Sequence, residues 1–216
     1  MRVKPRLSPF SLPPRCAILD LAKGGMAVSQ LTKRALAESL KALLAQKPLS
    51  KITISDITAH CGMNRMTFYY HFQDIYDLID WICQEEGGRA LQGRKDYRTW
   101  QEGFTALCHA VIENRTFIEG VYHSVQREQI EAYLGRVVYG LLIDVVKELS
   151  RGYAISEEDQ AYITNFYKHA FVGVMLDWVR CGMKEAPEQV VGRVSRMSHG
   201  QLLGAIRNMA ANLPNP

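Results

Sequence analysis

The chain has 216 residues, 47% of them hydrophobic and 22% charged, with 26 Lys+Arg against 22 Asp+Glu and a formal net charge of +4. That length supports one large domain or two small ones with a proper core, and the composition excludes a wholly disordered chain, a collagen-like repeat and a small disulfide scaffold. The charge is unevenly placed. Arg2, Lys4, Arg6, Arg15 and Lys23 meet only Asp20 in residues 1–25, and six basic side chains meet three acidic ones in residues 26–75. The remainder holds 15 basic and 18 acidic groups. An anionic partner for the first third is the implication.

In chain order, residues 1–27 are basic and interrupted by Pro9, Pro13 and Pro14. They read as a disordered tail or, if Met26 is the true start, as an over-extended upstream segment. Residues 29–46 place Leu36, Leu40, Leu43 and Leu44 at helical spacing. After Pro48, Thr53-x-x-Asp56 forms a capping box for a short helix that ends at His60-Cys61-Gly62. A third helix runs from the N-cap Asn64 to Phe72, and a fourth from Asp74 to about Gly87-Gly88. Longer helices are expected at about 98–114, 116–124, 127–149, 157–182 and 187–209, with no alternating strand pattern. The expected fold is all-α.

Cys16, Cys61, Cys83, Cys108 and Cys181 are odd in number and form no CxxC pair, so they read as reduced thiols. No apolar run approaches the roughly 20 residues that span a bilayer, and no signal-peptide pattern follows the basic start. A cytoplasmic protein with no membrane partner is expected. G-x-S-x-G, GxxxxGK, HExxH and glycine-rich dinucleotide motifs are missing, and the adjacent pairs His60-Cys61 and Cys108-His109 are poorly spaced for one metal. No enzymatic activity, cofactor or metal is expected.

The segment 53–72 is a pair of short helices with a glycine turn between them. Ile54, Ile57, Phe68 and Phe72 would face the core, Met66 and Tyr70 would point away, and Thr67 and Tyr69 would flank them, with Arg65 leading. A recognition helix needs that arrangement, because its outer side chains must reach base edges while neighbours hold phosphates. Periodicity alone describes an ordinary helical hairpin equally well.

The wording of the segment goes further. Ile52-Thr53-Ile54-Ser55-Asp56-Ile57, the Cys61-Gly62 turn and Thr67-Phe68-Tyr69-Tyr70-His71-Phe72 closely resemble the DNA-binding domain of the TetR family. The resemblance covers about 29–82. With Asp74-Ile75-Tyr76-Asp77-Leu78, Glu113-Asn114-Arg115-Thr116-Phe117 and Phe171–Trp178, it is nearest to the branch that contains activators of dihydroxyacetone kinase operons. It implies an N-terminal three-helix DNA-binding domain with a helix-turn-helix at 28–75, after a tail at 1–27, and a C-terminal helical ligand-binding and dimerisation domain at 76–212. Base contacts are implied for Arg65, Met66 and Tyr69, and phosphate contacts for Lys33, Arg34, Thr53, Thr67, Tyr70 and His71. Ile75 departs from the family, which usually carries a phosphate-binding lysine there; Gln73 or the basic tail is a candidate substitute.

Farther along, Trp100, Phe104, Tyr122, Tyr139, Phe166 and His169 are candidates for an effector pocket, with plain core packing as the alternative. Phe171, Val174 and Trp178 on one helix, and Val191, Val194, Leu202 and Met209 on the next, have the spacing of a dimer interface and equally of an intramolecular core. The resemblance favours a homodimer on a palindromic operator in double-stranded DNA. Its activity would be modulated by a small-molecule effector, or alternatively by a docked protein co-activator resembling dihydroxyacetone kinase.

Overall fold

The computed structural model describes residues 15–94, 96–125 and 127–211, with side chains for 28–94, 96–125 and 128–210. The elements are α1 (Arg15–Leu44), a 3-10 turn (Leu49–Lys51), α2 (Ile54–His60), α3 (Arg65–His71), α4 (Ile75–Ala90), α5 (Trp100–Glu113), α6 (Arg115–Tyr122), α7 (Arg127–Leu149), α8 (Glu157–Arg180), α9 (Pro187–Ser198) and α10 (Gln201–Ala211). No strand occurs among the described residues, and no helix there is long and apolar enough to cross a membrane.

The first three helices form a small bundle on the leucine face of α1. Leu36 and Leu40 are fully buried, and Leu43 and Leu44 nearly so, with Ile57, Phe68 and Phe72 packed beneath them. Ser39 sits on the same face. Its hydroxyl donates to the Ile57 carbonyl at 2.7 Å, fixing α2 against α1 and satisfying a hydroxyl that burial would otherwise leave unpaired.

The remaining helices are layered around α7 and α8, which pack against each other extensively. α4 joins the two regions, touching α1 on one side and α5 and α7 on the other. A Cβ at Gly87 would come within 2.4 Å of a Val137 methyl, so only glycine allows this approach of α4 to α7. Gly87 is therefore a packing residue in the helix interior, not its end.

Two other expectations change. α1 starts at Arg15, well inside the segment expected to be tail, because no proline follows Pro14 there and Ala17, Leu19, Leu21 and Ala22 favour a helix; the expectation for 1–14 falls outside the described residues. The single helix expected at 187–209 is two, separated at His199 and Gly200, where φ is +71°. The bend lets α9 cover α5 while α10 turns back onto α7 and α8.

Candidate nucleic-acid interface

The helix-turn-helix is built from local polar contacts. The Thr53 hydroxyl accepts from the Asp56 backbone N–H at 3.1 Å, and the Asp56 carboxylate accepts from the Thr53 N–H at 2.9 Å. That carboxylate also accepts from Lys47 Nζ at 2.9 Å. The Thr53 N–H and Lys47 hold the Asp56 pKa well down, at about 2. The turn then places Gly62 at φ +69°, a left-handed conformation natural to glycine.

α3 begins with Asn64 Oδ1 accepting from the Thr67 N–H at 2.8 Å and the Thr67 hydroxyl at 3.1 Å. Phe68 is completely buried, its ring tilted against that of Phe72 with centres 5.7 Å apart. The opposite side is open: Met66 is 75% exposed, Tyr69 47% and Tyr70 83%, and Arg65 stands exposed at the leading end. This seven-residue helix thus presents three large exposed side chains above one buried phenylalanine.

The remaining candidates form a rim. His71 is half-buried with Tyr70 packed edge-on at 4.9 Å; desolvation, followed by the nearby Lys33 charge, holds its pKa below the ordinary imidazole value. Lys33 Nζ lies 5.6 Å from the Phe72 ring centre and 5.9 Å from that of Trp81. Arg34 pairs with Glu85 of α4 at 2.8 Å. Lys33 and Arg34 thus already have partners within the chain. The sequence reading missed Lys47 and Ser39 as positioning residues. A lone serine inside a leucine stripe was the available signal for Ser39; nothing marked Lys47 apart from its charge.

The C-terminal helices place the six pocket candidates differently. Trp100 and Phe104 are buried against Phe171, with ring centres at 5.6 and 4.9 Å. Tyr139 and His169 line an open groove between α7 and α8, and Phe166 is 67% exposed. Only Tyr122 reaches the internal cavity space between α4 and α8. That space has two adjoining apolar lobes of about 50 and 30 Å³. They share walls at Cys83, Val111, Phe117, Ile118, Leu134 and Met175. Burial pushes the Cys83 thiol up to about 12, so it stays protonated.

The dimer candidates are also divided. Phe171, Trp178, Val191, Val194 and Leu202 are buried within the chain, and Trp178 Nε1 donates to the Glu185 carbonyl at 2.9 Å. Met209 packs partly buried against Leu202 and Ile206. Val174 alone is exposed, at 38%. The three- and four-residue steps marked the faces that α8, α9 and α10 turn toward the core, which have the same periodicity as an interface.

The family description "Bacterial regulatory proteins, tetR family" matches residues 32–81, covering α1's buried leucines, α2, α3 and the start of α4. "Transcriptional regulator C-terminal region", a TetR-type C-terminal domain, matches 98–200. The chain belongs to the TetR family of DNA-binding transcriptional regulators, which are not enzymes. A similar curated protein is the HTH-type dhaKLM operon transcriptional activator DhaS of Lactococcus lactis subsp. lactis (strain IL1403), 28% identical over 97 residues, 45% of this chain. The alignment spans about half of that relative, 52% of its length.

Among solved structures, "Dihydroxyacetone kinase operon activator DhaS" has a TM-score of 0.60 at 21% identity, covering 82% of this chain and 97% of that one. A TetR transcriptional regulator from Streptococcus agalactiae 2603V has a TM-score of 0.51 at 22% identity, covering 82% and 98%. The TetR family repressor AlkX from Dietzia sp. strain DQ12-45-1b gives 0.53 at 14%, covering 81% and 96%. At these identities the structures establish the shared fold.

Proposed function

We propose that this protein acts as a homodimer on a palindromic operator, with residues 28–75 as the DNA-binding domain and 76–212 as the regulatory and dimerisation domain. The observation that carries this reading is the open face of α3. Arg65, Met66 and Tyr69 enter the major groove to read bases, while Thr67, Tyr70, His71 and Thr53 hold the flanking phosphates. Arg34 and Lys33 reach the backbone only by leaving Glu85 and the aromatic rings, so their contribution is smaller. Work on DNA implies a cytoplasmic location.

The same reading needs a dimer face, and α8 offers one that shares only Val174 with the residues marked by spacing. Tyr162, Phe166, Ala170 and Val174 are exposed at four-residue steps, and a Cβ at Gly173 would meet nothing within 4 Å. The stripe is bulky toward its start and small toward its end. Two α8 helices crossing antiparallel near Ala170 would set Phe166 on the partner's small half. The same pairing brings the acidic first turn, Glu157 and Glu158, toward the partner's basic end at Arg180.

A second reading concerns what is sensed. The internal lobes are far below the roughly 300–1,000 Å³ of ordinary ligand sites, which favours a docked protein co-activator unless the cavity opens. The resemblance to an activator of a dhaKLM operon makes promoters of dihydroxyacetone kinase genes the first DNA to try. In vitro selection of bound DNA should return an inverted repeat with half-sites about one helical turn apart. Recovery of no preferred sequence, or of a single unpaired half-site, would overturn the operator reading. Sedimentation of the DNA-free protein tests the dimer separately.

A further inference from the structure

The basic side chains of residues 28–75 are Lys33, Arg34, Lys41, Lys47, Lys51 and Arg65, and most are already engaged. Lys47 pairs with Asp56 at 2.9 Å, Arg34 with Glu85 at 2.8 Å and Lys41 with Glu86 at 2.6 Å. Lys33 lies over the Phe72 and Trp81 rings. Lys51 and Arg65 remain, both exposed and without an ion pair among the described residues. Arg65 leads α3 and reads bases on the reading above. Lys51 has no part in it.

Lys51 closes the 3-10 turn between α1 and α2, and that turn is firmly held. The Lys51 N–H donates to the Pro48 carbonyl and the Ile52 N–H to the Leu49 carbonyl, each at 2.9 Å. Leu49 and Ile52 are both buried. Ile52 and Thr53 have extended backbones, in which successive side chains alternate in direction. With Ile52 turned into the core, Lys51 and Thr53 both emerge toward solvent. The Thr53 hydroxyl accepts from the Asp56 N–H, which leaves its own proton free for an anionic oxygen.

The link from α3 to α4 has the opposite chemistry. Gln73, Asp74, Ile75, Tyr76 and Asp77 include no cation. Asp74 accepts from the Asp77 N–H at 2.8 Å, and Asp77 from the Gln73 N–H at 3.0 Å. Two carboxylates there oppose a phosphate.

We propose that Lys51 is the main phosphate-holding cation of each half-site, with Thr53 beside it. The DNA backbone is thereby anchored before α2 and not at the start of α4. An ammonium on a flexible stem holds a phosphate as a point charge, and a turn fixed by two buried side chains has little left to order on binding. The inference rests on the reading of α3 as the groove-facing helix.

The test compares Lys51→Gln, Lys51→Arg and Arg151→Gln on a random-sequence duplex and on the selected operator. Arg151 is exposed in the turn between α7 and α8, so its variant makes the same charge change away from the bundle. Lys51→Gln should reduce the slope of log affinity against log salt by about 0.9 for each protomer seated. Between about 50 and 200 mM salt, that narrows the ratio of wild-type to variant affinity roughly threefold per protomer. Lys51→Arg should keep the wild-type slope, and the selected half-site should not change in any of the three. Denaturation midpoints should coincide, which excludes a folding defect. Equal slopes for wild type and Lys51→Gln, or the same drop in Arg151→Gln, would overturn the proposal. Arg65→Ala separates this inference from the reading beneath it. If Arg65→Ala weakens binding while Lys51→Gln keeps the wild-type slope, only the anchor is lost. If neither variant alters binding, α3 does not face the groove and the anchor falls with it.

Discussion

α3 and α8 both expose aromatic side chains, yet their surroundings give the exposure different meanings. On α3, Met66, Tyr69 and Tyr70 stand beside Arg65, Thr67 and His71 on a seven-residue helix capped by Asn64. Hydroxyls, an imidazole and a guanidinium are spread among the rings, as a surface for hydrogen-bonding bases and phosphates requires. On α8, Tyr162, Phe166, Ala170 and Val174 follow one another at four-residue steps of a 24-residue helix, whose acidic groups cluster in the first turn. That stripe suits an apolar partner of matching length. On the proposed reading both exposed aromatic faces are contact surfaces, and the neighbouring polar groups are what would distinguish DNA from protein.

The largest expected effect tests whether the α3 face depends on what lies beneath it. Phe68 is fully buried and is the main side chain joining α3 to α1 and α2. Phe68→Ala should cost about 3–5 kcal/mol, read as a drop in denaturation midpoint, and abolish DNA binding with it. A loss below about 1 kcal/mol would show that α3 is held by its caps and not by this packing. Next comes the α8 stripe. Phe166→Glu should convert dimer to monomer in sedimentation and weaken operator binding about 100-fold, the lower end of what linking two half-sites contributes. A variant that stays dimeric would remove the α8 side of the comparison.

Arg65→Ala should cost about 1–3 kcal/mol and relax preference at one base-pair position, read by repeating the selection. Uniform weakening across sequences would move Arg65 from base reader to phosphate clamp. Phe166→Glu should give the complementary pattern, weaker binding with an unchanged half-site preference. Together the two variants separate what each aromatic surface contributes.

The two regions also differ in how far the sequence reveals them. Around 29–82 the local structural signals hold: the leucine spacing marks a buried face, the Thr53–Asp56 capping box forms as written, and Asn64 caps α3. Short helices have one buried side, so the remaining residues are exposed by elimination. α8 is different because neighbours cover much of its circumference. Phe171 and Trp178 satisfy a three- and four-residue pattern facing the core, while Tyr162 and Phe166 satisfy another facing out. A hydrophobic period locates a covered face without saying what covers it. The break at Gly200 was concealed for a related reason, since apolar steps continue across it onto α10, and Gly87 looked like a helix end because its packing role depends on Val137, far away in sequence.

The smallest predicted effect lies at the rim of α3, where the polar character of that surface becomes a pH dependence. In the free protein, desolvation and then Lys33 keep the His71 pKa below its ordinary value of 6.5, favouring the neutral ring near pH 7. The folded state therefore binds protons less readily than the unfolded chain, and this residue's contribution to stability is present above pH 6.5 and lost as pH falls through the depressed folded pKa. Under the proposed contact, a DNA phosphate beside His71 would reverse the local balance by favouring the charged ring and offsetting Lys33. Affinity should then rise between pH 7 and 6 by no more than about tenfold, the scale of one proton's linkage over one pH unit. Calorimetry in buffers of different ionisation enthalpy should register fractional proton uptake on binding, and His71→Gln should remove both effects. If His71→Gln retains the wild-type pH profile, His71 faces no phosphate and serves only the packing of Tyr70 and Phe72. The contact rim of α3 would then shrink toward Thr67 and Tyr70.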